Sequence, residues 1–146
     1  MSGEFLGKFK SSVNKKKWVI IPAVLKKHFS TNSRQMVVLT LGPSNNSVVV
    51  YPLDNWTTKT EALKKSEKRL LLKKLRHYAQ PEQKLEGNGR VKIDDNLLEK
   101  AGIKDKVVIK GDGDYISIWN PENYRKYEEK IEMETKNLFD PMDYQL

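Results

Sequence analysis

Residues 13–25 read VNKKKWVIIPAVL and residues 85–97 read LEGNGRVKIDDNL, and the two stretches align without a gap. The match continues downstream. Val37-Val38-Leu39 falls on Val107-Val108-Ile109, Gly42 on Gly111, and Val50-Tyr51 with Asp54-Asn55-Trp56 on Ile118-Trp119 with Glu122-Asn123-Tyr124. The chain therefore reads as one small fold written twice. A unit of roughly 50 residues is near the lower limit for burying its own core, so the two copies are expected to share one interior. Surfaces repeated in this way suit a ligand that is itself repetitive.

Within each copy the local signals come in the same order. Phe5 to Val13 alternates as a strand does, and Trp18 to Ile21 is a β-branched run after a polar turn, ended by Pro22. Ala23 to Phe29 has room for about two helical turns. Met36 to Leu41 and Ser47 to Tyr51 read as strands joined by the turn residues Gly42-Pro43-Ser44-Asn45-Asn46. The second copy has Leu85, a bend over Glu86-Gly87-Asn88-Gly89, and a strand over Arg90 to Ile93. A short helix over Leu97 to Ala101 is then stopped by Gly102, and a hairpin joins Lys106–Lys110 to Tyr115–Trp119. Gly87 and Gly89 are read as supplying positive φ in the bend.

A longer helix follows each copy. Asp54 is the expected cap of the first, whose stripe is Trp56, Leu63, Leu70, Leu71, Leu75 and Tyr78. Lys64, Lys65, Lys68, Arg69, Lys73 and Arg76 occupy the other side, with Leu72 as the apolar exception. In the second, Asn120 caps, Pro121 suits the first helical position, and Tyr124, Tyr127, Ile131 and Leu138 form the stripe beside Glu128, Glu129, Glu132 and Glu134. This divides the chain into a first repeat (5–56), a connecting amphipathic helix (57–79), a second repeat (80–120), a C-terminal helix (121–139) and a frayed tail (140–146).

Composition narrows the class. At 146 residues and 38% hydrophobic content the chain can pack one domain, and it contains no cysteine, which excludes disulfides and thiolate metal sites. Trp18 to Leu25 is too short, and too interrupted by Pro22, to serve as a secretion signal. No stretch approaches the roughly 20 apolar residues of a membrane span, so a soluble cytoplasmic protein is expected. Charge divides unevenly around Gln80: residues 1–79 carry 16 Lys/Arg against 4 Asp/Glu, and residues 80–146 carry 11 against 15. A basic half suits a polyanion, most simply nucleic acid. It also suits docking on the acidic half of another copy, a head-to-tail contact that closes into a ring if the rotation allows.

Glu86-Gly87-Asn88-Gly89-Arg90-Val91-Lys92-Ile93 resembles the Asp-x-x-Gly-Arg-Val-x-Ile-Pro signature of swapped-hairpin transcription factors related to AbrB. Two such units in one chain, each followed by a helix, look like the MraZ family. Gly7-Lys8-Phe9, Val37-Val38-Leu39-Thr40 with Gly42, Val50-Tyr51-Pro52 then Trp56, and Val108-Ile109-Lys110-Gly111 then Ile118-Trp119 agree with it, covering residues 5 to about 130. The resemblance implies an α+β fold of two tandem AbrB-like, MraZ-type βαββ repeats sharing a β-barrel-like core. It implies a nucleoid-associated, DNA-binding transcriptional regulator of a division and cell wall gene cluster, working as a ring-shaped homo-oligomer.

The resemblance places the DNA contact on the paired bends, Asn14 to Trp18 and Glu86 to Arg90. This chain departs from the signature there. Glu86 replaces aspartate and Asp94 proline, while Asn14, Lys17 and Trp18 replace aspartate, glycine and arginine, with Pro22 kept. Side-chain chemistry favours the same role: Lys15, Lys16 and Lys17 on a polar turn suit phosphates, and the fork of Arg90 also suits guanine, with Asn88 beside it. Trp18 either packs inward as a core aromatic, the favoured reading, or stacks on a sugar or base.

Other constellations point nowhere sharper. Asp112 and Asp114 read as a hairpin turn lacking the oxygen ligands of a calcium loop. His28 and His77 lack zinc-ligand spacing, and read as a helix-end residue and a partly exposed helix residue. No nucleophile elbow or phosphate loop is present, so neither an enzyme, a cofactor nor a small-molecule substrate is expected. The alternative function is a non-specific nucleic-acid binder, or a structural ring-former without operator specificity.

Overall fold

The structure, a computed structural model, describes residues 1–43 and 46–138. Among the described residues, eight strands are interspersed with five α-helices. The first half contains β1 (Lys8–Ser12), β2 (Trp18–Ile20), α1 (Ala23–Lys26), a single 3-10 turn (Thr31–Ser33), β3 (Met36–Leu41) and β4 (Ser47–Pro52). After α2 (Leu53–Lys64) and α3 (Arg69–Tyr78) come β5 (Gln83–Lys84), β6 (Arg90–Lys92), α4 (Asp95–Lys100), β7 (Lys106–Gly111), β8 (Ile116–Trp119) and α5 (Pro121–Thr135). The expected strands and the two short helices are thus all found, with Phe5 reduced to an isolated bridge to Gly113.

Six strands form an antiparallel sheet in the order β1-β7-β8-β4-β3-β5, while β2 and β6 pair with each other in a separate two-stranded ribbon. β1 pairs with β7 of the second half, and β5 pairs with β3 of the first. The halves are therefore threaded through one another. One interior results: Val19, Ile21 and Leu39 from the first half meet Val91, Ile93, Ile109 and Ile118 from the second, all at most 1% exposed. Burial on this scale is the main stabilising contribution, at about 25 cal/mol per Å² of apolar surface removed from water. Gly111 is required where β7 passes the N-terminal segment, because a Cβ there would lie 2.5 Å from the backbone of Phe5 and Leu6.

The first long helix is two helices. Lys68 leaves helical geometry at φ −90°, ψ 44°, and the Ser66 hydroxyl donates to the Leu63 carbonyl and accepts from the Lys68 N–H, each at 3.1 Å. Such local bonds compete with the helical ladder. The break shifts the helical phase, so Leu72, read from the pattern as the exception, is buried and joins Leu63 and Leu75 in a second small core. Leu70, assigned to the stripe, is 81% exposed.

Asp54 is not the cap either. It lies in the first turn of α2, after Pro52. Its carboxylate gathers the Ser30 hydroxyl (2.6 Å), the Ser2 N–H (2.7 Å), and the Ser2 hydroxyl and Asn55 N–H (each 2.9 Å). Asn120 and Pro121 begin α5 as expected, the Asn120 side chain accepting from the Glu122 and Asn123 N–H groups. Only the start of its stripe is covered: Tyr124 is buried against Trp119, whereas Ile131 and Leu138 are exposed and the helix ends at Thr135. The remaining tail, from residue 139, and Ser44-Asn45 of the β3–β4 loop lie outside the described residues.

Candidate nucleic-acid interface

The β2–β6 ribbon has three residue pairs, Trp18 with Lys92, Val19 with Val91, and Ile20 with Arg90. Strand alternation sends Val19 and Val91 into the core and leaves Trp18, Ile20, Arg90 and Lys92 together on the outer face. One bend lies at each end of this ribbon, because each precedes one of the two antiparallel strands. Lys15, Lys16 and Asn88 are exposed in the bends, and Lys17 is half-buried, its ammonium 3.7 Å from Asp95. Arg90 is exposed on the ribbon's outer face.

Trp18 is not a core residue. Its ring is half-exposed on that outer face, and the Arg90 guanidinium sits 4.4 Å from its centroid, a cation–π contact. Sequence reasoning favoured burial because a large aromatic in a strand usually faces inward. Register decides otherwise: Val19 takes the inward position, so Trp18 must point out.

The two bends share one hydrogen-bond pattern. Asn14 N–H donates to the Trp18 carbonyl as Glu86 N–H does to that of Arg90, and Lys17 N–H donates to Asn14 as Gly89 N–H does to Glu86. Lys17 carbonyl accepts from Ile93, and Gly89 carbonyl from Ile21, both at 2.9 Å. Gly89 adopts φ +98° with a would-be Cβ 3.2 Å from the Ile21 carbonyl oxygen, whereas Lys17 holds a left-handed φ of 70° with a full side chain. Asn14 Oδ1 compensates by accepting from the Lys16 and Trp18 N–H groups at 2.9 and 3.0 Å, which closes the first bend from its own side chain.

Gln80 and Gln83 are residues that sequence reasoning passed over. The outward backbone of Lys92 is covered by Gln83, whose amide donates to the carbonyl (2.9 Å) and accepts from the N–H (2.9 Å). Gln80, buried at the end of the α3 segment, donates to the same carbonyl at 3.0 Å and accepts from the Asp94 N–H at 2.7 Å. At the corresponding place in the first copy Pro22 has no N–H to satisfy. The aspartate in the proline position was the available signal: it adds a backbone donor that proline lacks, and Gln80 supplies the acceptor.

Two comparisons with known proteins bear on this geometry. A family model described as "MraZ protein, putative antitoxin-like" matches residues 77–143. A transcriptional regulator MraZ of Natranaerobius thermophilus is 30% identical over 139 residues, spanning 92% of this chain and 93% of the relative. The chain belongs to the MraZ family. MraZ regulators of Clostridium acetobutylicum and Treponema denticola are 29% and 27% identical, covering 86% and 83% of this chain and 87% and 85% of their own lengths. Of the departures from the Asp-x-x-Gly-Arg-Val-x-Ile-Pro signature, those at Asn14, Lys17, Trp18 and Asp94 are accommodated by a side-chain turn, a left-handed lysine, an arginine over the indole and a glutamine acceptor.

Elsewhere, Asp112 takes the Lys110 ammonium and the Ser117 hydroxyl, and Ser117 accepts the Trp119 indole N–H at 2.8 Å, so this acidic hairpin residue is committed to the fold. Among the described residues no group of three or more His, Cys, Asp or Glu side chains is placed to hold a metal. His28 and His77 are both exposed, the latter edge-on to Tyr78. No helix among the described residues is long and apolar enough to cross a membrane.

Proposed function

We propose that this chain is a DNA-binding transcriptional regulator that engages short spaced promoter repeats as a ring-shaped, head-to-tail homo-oligomer in the cytoplasm, at the nucleoid. Its own division and cell wall cluster promoter is the natural target for an MraZ relative. The observation that carries the reading is the outer face of the β2–β6 ribbon, where Arg90 is stacked on Trp18 and lysine-bearing and asparagine-bearing bends stand at the two ends. Stacking on a rigid indole restricts the guanidinium, so less rotamer entropy is lost when the fork meets a base edge. Lys15, Lys16 and Lys17 position the protein on phosphates, and Arg90 and Asn88 read sequence. Each bend alone binds weakly, and a ring presenting many bends to spaced repeats raises affinity through effective concentration.

The strand registers support the tandem reading behind this proposal. Val19 aligns in sequence with Val91 and pairs with it, and Val49 aligns with Ser117 and pairs with it. Pairing between aligned residues is what a two-fold relation between two copies produces. The single interior to which the six-stranded sheet and the ribbon both contribute supports reading it as a barrel-like core shared by two βαββ repeats.

A footprint of the purified protein on DNA upstream of its own gene tests the function, with protection of short, regularly spaced repeats as the expected result. Arg90→Ala should relax sequence preference, while replacing Lys15, Lys16 and Lys17 with glutamine should weaken binding to every duplex and flatten its salt dependence by up to about three in slope for each subunit engaged. Unchanged operator affinity in the Arg90 variant removes that residue from recognition.

A further inference from the structure

The basic face of the α2–α3 hairpin shares no residue with the ribbon and its bends. Lys64, Arg69, Lys73 and Arg76 line a groove around the buried Leu72. Lys64 is paired with Glu61 at 2.9 Å, but Arg69, Lys73 and Arg76 make no ion pair among the described residues. Their spacing of four and then three residues sets them on one face of α3, where like charges repel and weaken the helix. A polyanion laid along the row turns that repulsion into attraction.

The geometry of the row fits a nucleic-acid backbone. At about 1.5 Å of rise per residue, the three side chains span roughly 10 Å, the axial length of about three phosphates on one strand of B-DNA. Nor is α3 free to drift. The Thr40 hydroxyl holds the Leu75 carbonyl at 2.7 Å, and Gln80, just past the helix end, joins Lys92 and Asp94 on either side of the ribbon's end. These bonds tie α3 to the sheet and to the end of the Arg90 ribbon. A second copy's α5 is the rival occupant, yet four of its five glutamates already make ion pairs within their own subunit, Glu132 being the exception. Glu122 and Glu129 pair with Arg125, Glu128 with Lys8 and Glu134 with Lys130.

We propose that Arg69, Lys73 and Arg76 form a second phosphate-contacting surface for double-stranded DNA, flanking the ribbon to which α3 is tied. The proposal rests on the DNA-binding reading above and extends it beyond the bends. The test is fluorescence anisotropy of full-length protein over a salt series, on a labelled duplex from upstream of its own gene and on a scrambled duplex of equal length. In the Arg69→Gln, Lys73→Gln, Arg76→Gln variant, the slope of log affinity against log salt should fall by about three for each subunit engaged on the duplex, on both duplexes, with their affinity ratio unchanged. Charge-conserving replacement (Arg69→Lys, Lys73→Arg, Arg76→Lys) should keep the wild-type slope, and circular dichroism should show both variants folded.

A wild-type slope in the glutamine variant, beside a flattened slope in the Lys15, Lys16, Lys17 variant, overturns this surface and leaves the bends standing. Altered sedimentation with unchanged salt slope assigns the patch to a second copy instead. Failure of the wild-type protein to bind either duplex removes both this surface and the function it extends.

Discussion

Replacing Gln80 with leucine tests the coupling between Gln80 and Asp94 most directly. The side chain is 8% exposed, and leucine fills nearly the same volume without its two polar contacts. The Lys92 carbonyl keeps a donor in Gln83 at 2.9 Å, so the first lost bond costs little. The Asp94 N–H has no second protein acceptor among the described residues, but Asp94 is exposed and water can replace part of the bond, so a loss of about 1 kcal/mol is expected.

Proline at position 94 removes that donor altogether. The backbone there, φ −64° and ψ 148°, already suits proline, and the Asp94 side chain makes no capping bond to α4 that would be lost. Asp94→Pro alone should cost about 1 kcal/mol, since it strands the Gln80 oxygen while restricting the unfolded chain. In the double variant no group is orphaned, and stability should return to within about 0.5 kcal/mol of wild type, a coupling energy of about 1.5 kcal/mol. Urea unfolding at one fixed protein concentration measures all four corners of the cycle, because self-association would otherwise shift the midpoints. Simple additivity of the two losses would refute the argument.

Two further outcomes follow from the backbone and from one carboxylate. Lys17→Gly should stabilise the fold by about 0.5–1 kcal/mol, since relief of a left-handed lysine outweighs the added chain entropy and an exposed contact to Asp95; thermal unfolding reads this as a raised midpoint. For Asp54, burial pushes the carboxyl up, but hydrogen bonds from Ser30, Ser2 and the Ser2 and Asn55 N–H groups together hold it below the usual aspartate value. A depressed folded pKa stabilises above the unfolded value of about 3.9 and is lost as pH falls through the folded one. Wild type should therefore be more stable than Asp54→Asn at neutral pH, and urea midpoints of the two should converge below about pH 4; an unchanging gap down to about pH 2 counts against this.

Much of the fold was legible in the chain because both halves carry short-range signals of one kind. β-Branched runs bounded by Gly, Pro and Asn marked β2, β3, β4, β6, β7 and β8, and Asn120-Pro121 marked the start of α5. The bends were legible for the same reason: a polar turn between two such runs, once with Gly89 and once with Lys17 in the left-handed position. The connecting helix was misjudged because one periodic pattern was drawn through Lys65 to Lys68, where a serine hydroxyl ends the ladder and the phase of the leucines shifts.

Which strands pair, and therefore which residues surround each candidate contact, was decided only in three dimensions. Local sequence put lysines, an arginine and a tryptophan near two turns, since turn chemistry and alternation act over a few residues. That Arg90 lies over Trp18, that Val19 faces Val91, and that Gln80 meets Asp94 depend on strands distant along the chain being brought into one register. Register follows from burying the apolar set of both halves in a single interior, a condition on the whole chain that no local window contains.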